Sequence, residues 1–170
     1  MGFDSETAFE SALIKCLVEE KGWKDGVIKY PTEKDLLDNW AKIIFENNRD
    51  IDRLGDFPMT DGEMAQIMGQ IAKLRTPLNL NGFINGGTVQ IIRDNENDTH
   101  NFKKTISLKI FDRNEIDAGR TRYQIAQQPK FKAKNSIYPN RRGDFCLLIN
   151  GMPVIHVELK KSNVPVSEAQ

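Results

Sequence analysis

Asn150-Gly151 stands between two apolar runs, and no other feature restricts the fold of this chain so tightly. The runs are Phe145-Cys146-Leu147-Leu148-Ile149 and Met152-Pro153-Val154-Ile155-His156-Val157. Asn and Gly accept the positive φ that a two-residue hairpin turn demands, so the segment reads as an antiparallel hairpin. Side chains alternate along a strand. Ile155, Val157 and Leu159 are therefore expected on one face, toward the core, with His156, Glu158 and Lys160 on the other. Glu158 and Lys160 project together, roughly 7 Å apart. Asp144 opens the hairpin. Two carboxylates and a lysine have no packing reason to sit in so apolar a setting. They have a chemical one: carboxylates hold a hard divalent cation, and a lysine beside it acts on a water or a phosphate.

The register of the hairpin decides whether the carboxylates meet. Across a plain Asn-Gly turn the numbers of opposed residues add to 301, which sets Asp144 against Val157 and on the wrong face. Sharing an ion with Glu158 requires a parity change. A β-bulge or a longer loop supplies one, and bulges are common beside active sites. Pro153 cannot donate to the ladder and is a candidate location. The alternative is that Asp144 sits just ahead of regular pairing.

Upstream, the chain reads as three helices followed by strands. The helices are expected over about residues 7–20, 32–48 and from Thr60 onward. Their apolar stripes are Phe9, Leu13, Cys16 and Leu17; then Leu36, Leu37, Trp40, Ile43 and Ile44; then Met64, Ile67, Met68, Ile71 and Leu74. Such spacing is that of a core face. Thr7-Ala8-Phe9-Glu10 and Thr60-Asp61-Gly62-Glu63 both fit a capping box, and Gly22 and Pro77 read as stops. Strands are expected over 88–93, 105–111 and 122–127, with polar loops over 94–101 and 128–140. The order gives an α+β or α/β class, a mostly antiparallel sheet with helices on one face, in a single domain of 170 residues. Val166-Ser167-Glu168-Ala169-Gln170 resembles a helix start, so the chain reads as a fragment of a longer protein.

Charge divides the chain although its net charge is zero. Residues 1–99 hold 11 Lys+Arg against 18 Asp+Glu, a balance of −7; residues 100–170 hold 13 against 6, a balance of +7. The basic half contains the hairpin, and a polyanion such as a nucleic-acid backbone suits it. No apolar run approaches the ~20 residues of a membrane span. Met1–Glu6 has neither the basic start nor the apolar core of a secretory signal. Cys16 and Cys146 lie in apolar patterns, as buried free thiols of a reducing cytoplasm would.

In the chemistry these residues allow, Asp144, Glu158 and the backbone carbonyl of Leu159 hold Mg²⁺, and Lys160 orients a water or stabilises charge on a phosphodiester in its transition state. Glu158 and Lys160 alone would make an ordinary surface ion pair. His156 either lies beside the metal or fills the sheet edge. His100, His156 and the two cysteines lack zinc-ligand spacing, and no Gly-rich phosphate loop with a following Lys-Ser/Thr is present.

These residues look like the PD-(D/E)xK nuclease motif. More broadly, the chain resembles the N-terminal region of the R (HsdR-type) subunit of type I restriction-modification enzymes. The resemblance runs through Glu6-Thr7-Ala8-Phe9-Glu10, Gly22-Trp23, Gly86-Gly87-Thr88-Val89, Arg122–Gln128, Asn140–Asp144, Asn150–Pro153 and Val157–Lys161. It implies a restriction-endonuclease-like fold with a mixed central sheet, and Asp144, Glu158 and Lys160 as the catalytic triad. It also implies a glutamate of the first helix, Glu10 ahead of Glu6, completing the site. Mg²⁺, for which Mn²⁺ substitutes, is the implied cofactor, with ATP used only by translocase domains outside this chain. The implied partners are double-stranded DNA and the methyltransferase and specificity subunits. One departure stands out: Gly143 occupies the position where the family usually has proline. Two other readings are a repair nuclease of the same architecture, and a non-catalytic module that docks DNA or a partner subunit.

Overall fold

A computed structural model describes residues 5–74, 76–84, 87–111, 121–131 and 141–159, with the backbone alone at 77, 84, 141 and 142. Lys160 and the expected helix start at 166–170 lie outside the described residues. The elements in order are α1 (Glu6–Glu20), β1 (Val27–Lys29), α2 (Glu33–Asn47), α3 (Asp61–Ile71), α4 (Pro77–Ile84), β2 (Thr88–Ile92), β3 (Thr105–Lys109), β4 (Tyr123–Gln127), β5 (Lys130–Phe131), β6 (Arg141–Arg142), β7 (Phe145–Ile149) and β8 (Met152–Val157). They fall into two compact units, one of residues 1–36 with 122–170 and one of residues 37–121.

The first unit is built on a mixed four-stranded sheet in the order β1-β4-β7-β8, with β1 parallel to β4 and the remaining neighbours antiparallel. A mostly antiparallel sheet was expected; three-residue β1 is too short to show a period, and it adds the parallel edge. One face buries Ile125, Phe145, Leu147 and Leu159 against Ile14 and its neighbours on α1. The other buries Ala126, Cys146 and Leu148 with Leu36 at the start of α2. The N-cap of α1 is Ser5, whose hydroxyl accepts from the Ala8 N–H, and not Thr7 as the capping-box pattern suggested. Glu10 is thereby released from capping and is buried. Gly22, at φ 81, ends the helix as expected.

The second unit packs the rest of α2, α3 and α4 with the ribbon of β2 and β3. Val89 and Ile91 of β2, and Ile106 and Leu108 of β3, form its buried face. Thr60 and Glu63 make the capping box read from the sequence. Pro77 lies beyond α3, as expected, and it also opens α4, at the first helical position where its missing N–H costs nothing. Residues 94–101 form the expected polar loop, largely exposed, but Asp98 and Asn101 turn inward and are buried. Arg93, read as the last residue of a strand, is fully buried. Its guanidinium binds Glu63 (2.6 Å) and Asp98 (2.8 Å) and donates to the carbonyl of Phe57 (2.7 Å). Burial pushes the Asp98 carboxyl up, but the hydrogen bonds from Arg93 and the Asn101 N–H outweigh it and hold the group below the usual value.

Candidate functional site

The hairpin contains a β-bulge, one of the devices expected to set the parity of Asp144. Asn150 (φ 49) and Gly151 (φ 83) make the two-residue turn, and Ile149 opposes Met152 and Leu148 opposes Pro153. The register then shifts, and Leu147 opposes Ile155, Cys146 His156, and Phe145 Val157. Val154, next to Pro153, is the surplus residue. One further step in this register sets Asp144 opposite Glu158. Two observations agree with a shared face. The carboxylate of Asp144 accepts the backbone N–H of Leu159. Burial, and then the charge of Glu158, push the thiol of Cys146 up, and Cys146 lies two residues after Asp144, the spacing of one strand face.

Four chain segments converge at this end of the sheet: the C-terminal ends of β1, β4 and β8 and the start of β7. Asp144 is half-buried and Glu158 is exposed. The Gln128 N–H donates to the carbonyl of Asp144 (2.7 Å). The Gln128 side-chain amide donates to both carboxylate oxygens of Glu10 (3.1 and 3.4 Å), and the Gln127 amide donates to one of them (2.7 Å). Glu10, 4% exposed, is therefore joined to Asp144 through one residue. Among the described residues its carboxylate meets the side-chain amides of Gln127 and Gln128. Glu6 is exposed in the first turn of α1.

The face assignment of β8 needs one correction. Leu159 is buried and Val157 half-buried as expected, but Ile155 is 51% exposed, because β8 is the sheet edge and Ile155 lies outside the core cluster, which reaches only Val157. His156 is exposed, and its ring occupies the space where a side chain at 143 would point: a Cβ at Gly143 would meet its Nε2. The glycine and the histidine are thus a matched pair.

The donor set suits a hard cation in part. Two carboxylates and a carbonyl, completed by waters, are what Mg²⁺ accepts. Among the described residues no group of three or more His, Cys, Asp or Glu side chains gathers as a metal site. Gln127 and Gln128 had no role in the reading of the sequence. The available signal was positional: Gln128-Pro129 directly ends a strand, as Tyr30-Pro31 does.

The architecture defines an α+β protein whose mixed four-stranded sheet is packed by helices. The chain matches the family model described as the type I restriction enzyme R protein N terminus over residues 4–170, and it belongs to that family. A type I restriction enzyme endonuclease subunit of Staphylococcus saprophyticus is 28% identical over 173 residues, covering 99% of this chain and 16% of the relative. The corresponding subunits of Staphylococcus aureus strains COL and MSSA476 are each 26% identical over 174 residues, covering 99% of this chain and 16% of theirs. The chain thus spans about 16% of the length of the curated relatives it matches. No described helix is long and apolar enough to cross a membrane.

Proposed function

We propose that this chain is the nuclease region of a type I restriction enzyme R subunit, with a restriction-endonuclease-like PD-(D/E)xK site at the β7–β8 hairpin. The observation that carries the reading is the bulge at Val154, which gives Asp144 the parity to face Glu158. Asp144, Glu158 and the Leu159 carbonyl are the residues that would hold Mg²⁺ or Mn²⁺, which supplies polarisation of a phosphate and a lowered pKa for bound water. The Leu159 N–H holds one Asp144 oxygen in place. Gln128 ties the backbone of Asp144 to Glu10. Lys160 follows two residues after Glu158 and is assigned the orientation of the attacking water and the stabilisation of transition-state charge.

The substrate on this reading is double-stranded DNA lacking the protective modification. The partners are methyltransferase and specificity subunits, and ATP is consumed by other parts of the subunit. The test is cleavage of unmethylated DNA by the assembled enzyme with ATP and Mg²⁺, comparing wild type with Asp144→Ala, Glu158→Ala and Lys160→Ala. The expected result is loss of cutting by at least about a hundredfold with ATP hydrolysis retained, the size of effect typical for a lost electrostatic contact to the transition state. Undiminished cutting by Asp144→Ala and Lys160→Ala would make the hairpin structural and the chain a docking module.

A further inference from the structure

Two non-glycine residues at the same end of the sheet adopt the left-handed backbone, and both precede proline. Tyr30 (φ 56) follows β1 and leads into Pro31; Gln128 (φ 49) follows β4 and leads into Pro129. Their strands are parallel neighbours, with Lys29 paired to Gln127. A residue before proline is normally driven to extended backbone, and a left-handed non-glycine residue is strained. The turns are locked together: the Tyr30 N–H donates to the Gln127 carbonyl (2.8 Å), and the Lys130 N–H donates to the Pro31 carbonyl (2.8 Å). Strain maintained twice in one place asks for a reason.

Gln128 has one, since its turn delivers the backbone bond to Asp144 and the side-chain bonds to Glu10. Tyr30 has no counterpart in the interior. Its side chain is 49% exposed, and the Lys130 ammonium lies over its ring, 5.8 Å from the centroid. Lys130 belongs to β5, whose backbone pairs with Arg141–Arg142 in the basic half of the chain. A half-exposed aromatic with a cation against it is the pairing that single nucleotides engage, with the base or sugar on the ring and the phosphate at the ammonium. Two inter-strand steps of about 4.8 Å separate the backbones of β1 and β7 by roughly 10 Å, about three nucleotide rises along one strand.

We propose that Tyr30 and Lys130 form a nucleic-acid contact that grips the DNA strand a few nucleotides from the phosphate held at Asp144 and Glu158. The location relative to the cut rests on the nuclease reading; the contact itself does not. The test uses the assembled restriction enzyme carrying Asp144→Asn, so that DNA stays intact, and duplex DNA with 5-iodouracil in place of thymine. After irradiation and digestion, a cross-linked peptide containing Tyr30 is expected. Tyr30→Asn and Tyr30→Gly both suit a left-handed backbone and keep the fold. Each should lower cross-linking to this chain about tenfold, the loss expected for one stacked base. Lys130→Gln should lower it severalfold. With Asp144 restored, Tyr30→Asn should slow cleavage about tenfold without changing ATP hydrolysis, whereas Tyr30→Phe should cut normally. Cross-links that avoid residues 27–32, or unchanged yield and cleavage in both Tyr30→Asn and Tyr30→Gly, would overturn the proposal. If Asp144→Asn still cut DNA, the nuclease reading would fail while a Tyr30 cross-link still stood.

Discussion

Single residues at the hairpin act through small volumes. Gly143 donates its N–H to the Pro129 carbonyl (3.3 Å), and its hydrogen side faces the ring of His156. A proline here would forfeit that bond, and any Cβ would strike the ring, so glycine and histidine form a unit. Gly143 is not left-handed, so Gly143→Ala meets the ring without backbone strain. His156 is exposed and can swing away, so the stability cost should be under about 1 kcal/mol. The expected consequence is instead functional: displaced histidine and shifted backbone next to Asp144 slow cleavage. Gly143→Ala with His156→Ala should recover most of the loss, because the colliding partner is gone. A double-mutant cycle on cleavage rates measures this, and strictly additive losses would refute the coupling.

At the scale of elements, the β2–β3 ribbon shows how side-chain amides replace missing strands. Gln66 accepts the Ile92 N–H (2.8 Å) and donates to the Ile92 carbonyl (3.0 Å), and Gln70 donates to the Gln90 carbonyl (2.7 Å), so α3 closes the outer edge of β2. On the opposite edge Asn48 accepts the Lys109 N–H (2.8 Å) and donates to its carbonyl (2.9 Å). The two caps differ in access to water. Asn48 is fully buried, whereas Ile92 is 57% exposed. Asn48→Leu should therefore cost about 3 kcal/mol, since the freed Lys109 groups stay dry, and Gln66→Leu about 1 kcal/mol or less, since water replaces the lost partner. Urea denaturation of both variants decides; equal losses would mean that burial does not set the cost. Neither cap was legible in the sequence, because a glutamine or asparagine reveals its partner only after distant segments meet. The hairpin was legible to the level of its irregularity. The sequence left a bulge, a longer loop or an Asp144 ahead of regular pairing as the options; the structure has a bulge at Val154, and Asp144 also precedes the first paired residue, Phe145. Short β1, β5 and β6 were not legible, since two or three residues carry no period.

For the whole molecule, sequence patterning recovered three helices and the strands that follow them, but it missed β1 between α1 and α2, it missed α4, it put exposed Met68 on a core face, and it attributed charge to solvent. The acidic front half and basic back half suggested faces. Three of the charges, Glu63, Arg93 and Asp98, are instead buried together in the second unit. A buried ion cluster is held by its neighbours rather than by a hydrophobic period, so alternation could not announce it. It has a consequence that the composition does not suggest. The folded carboxyl of Asp98 lies below its ordinary 3.8, so at low pH the unfolded chain takes up this proton before the folded one. The stabilisation from Asp98 is therefore complete above the unfolded value and is lost as pH falls through the folded value. Acid titration of the urea midpoint should show stability declining across that window. Asp98→Asn should lower stability near neutral pH by about 1.5–3 kcal/mol, through loss of a charged partner for Arg93, and should flatten the acid decline, because no proton remains to be taken up there. An unchanged acid limb in Asp98→Asn would assign the decline to other carboxylates and leave the Arg93 cluster insensitive to pH.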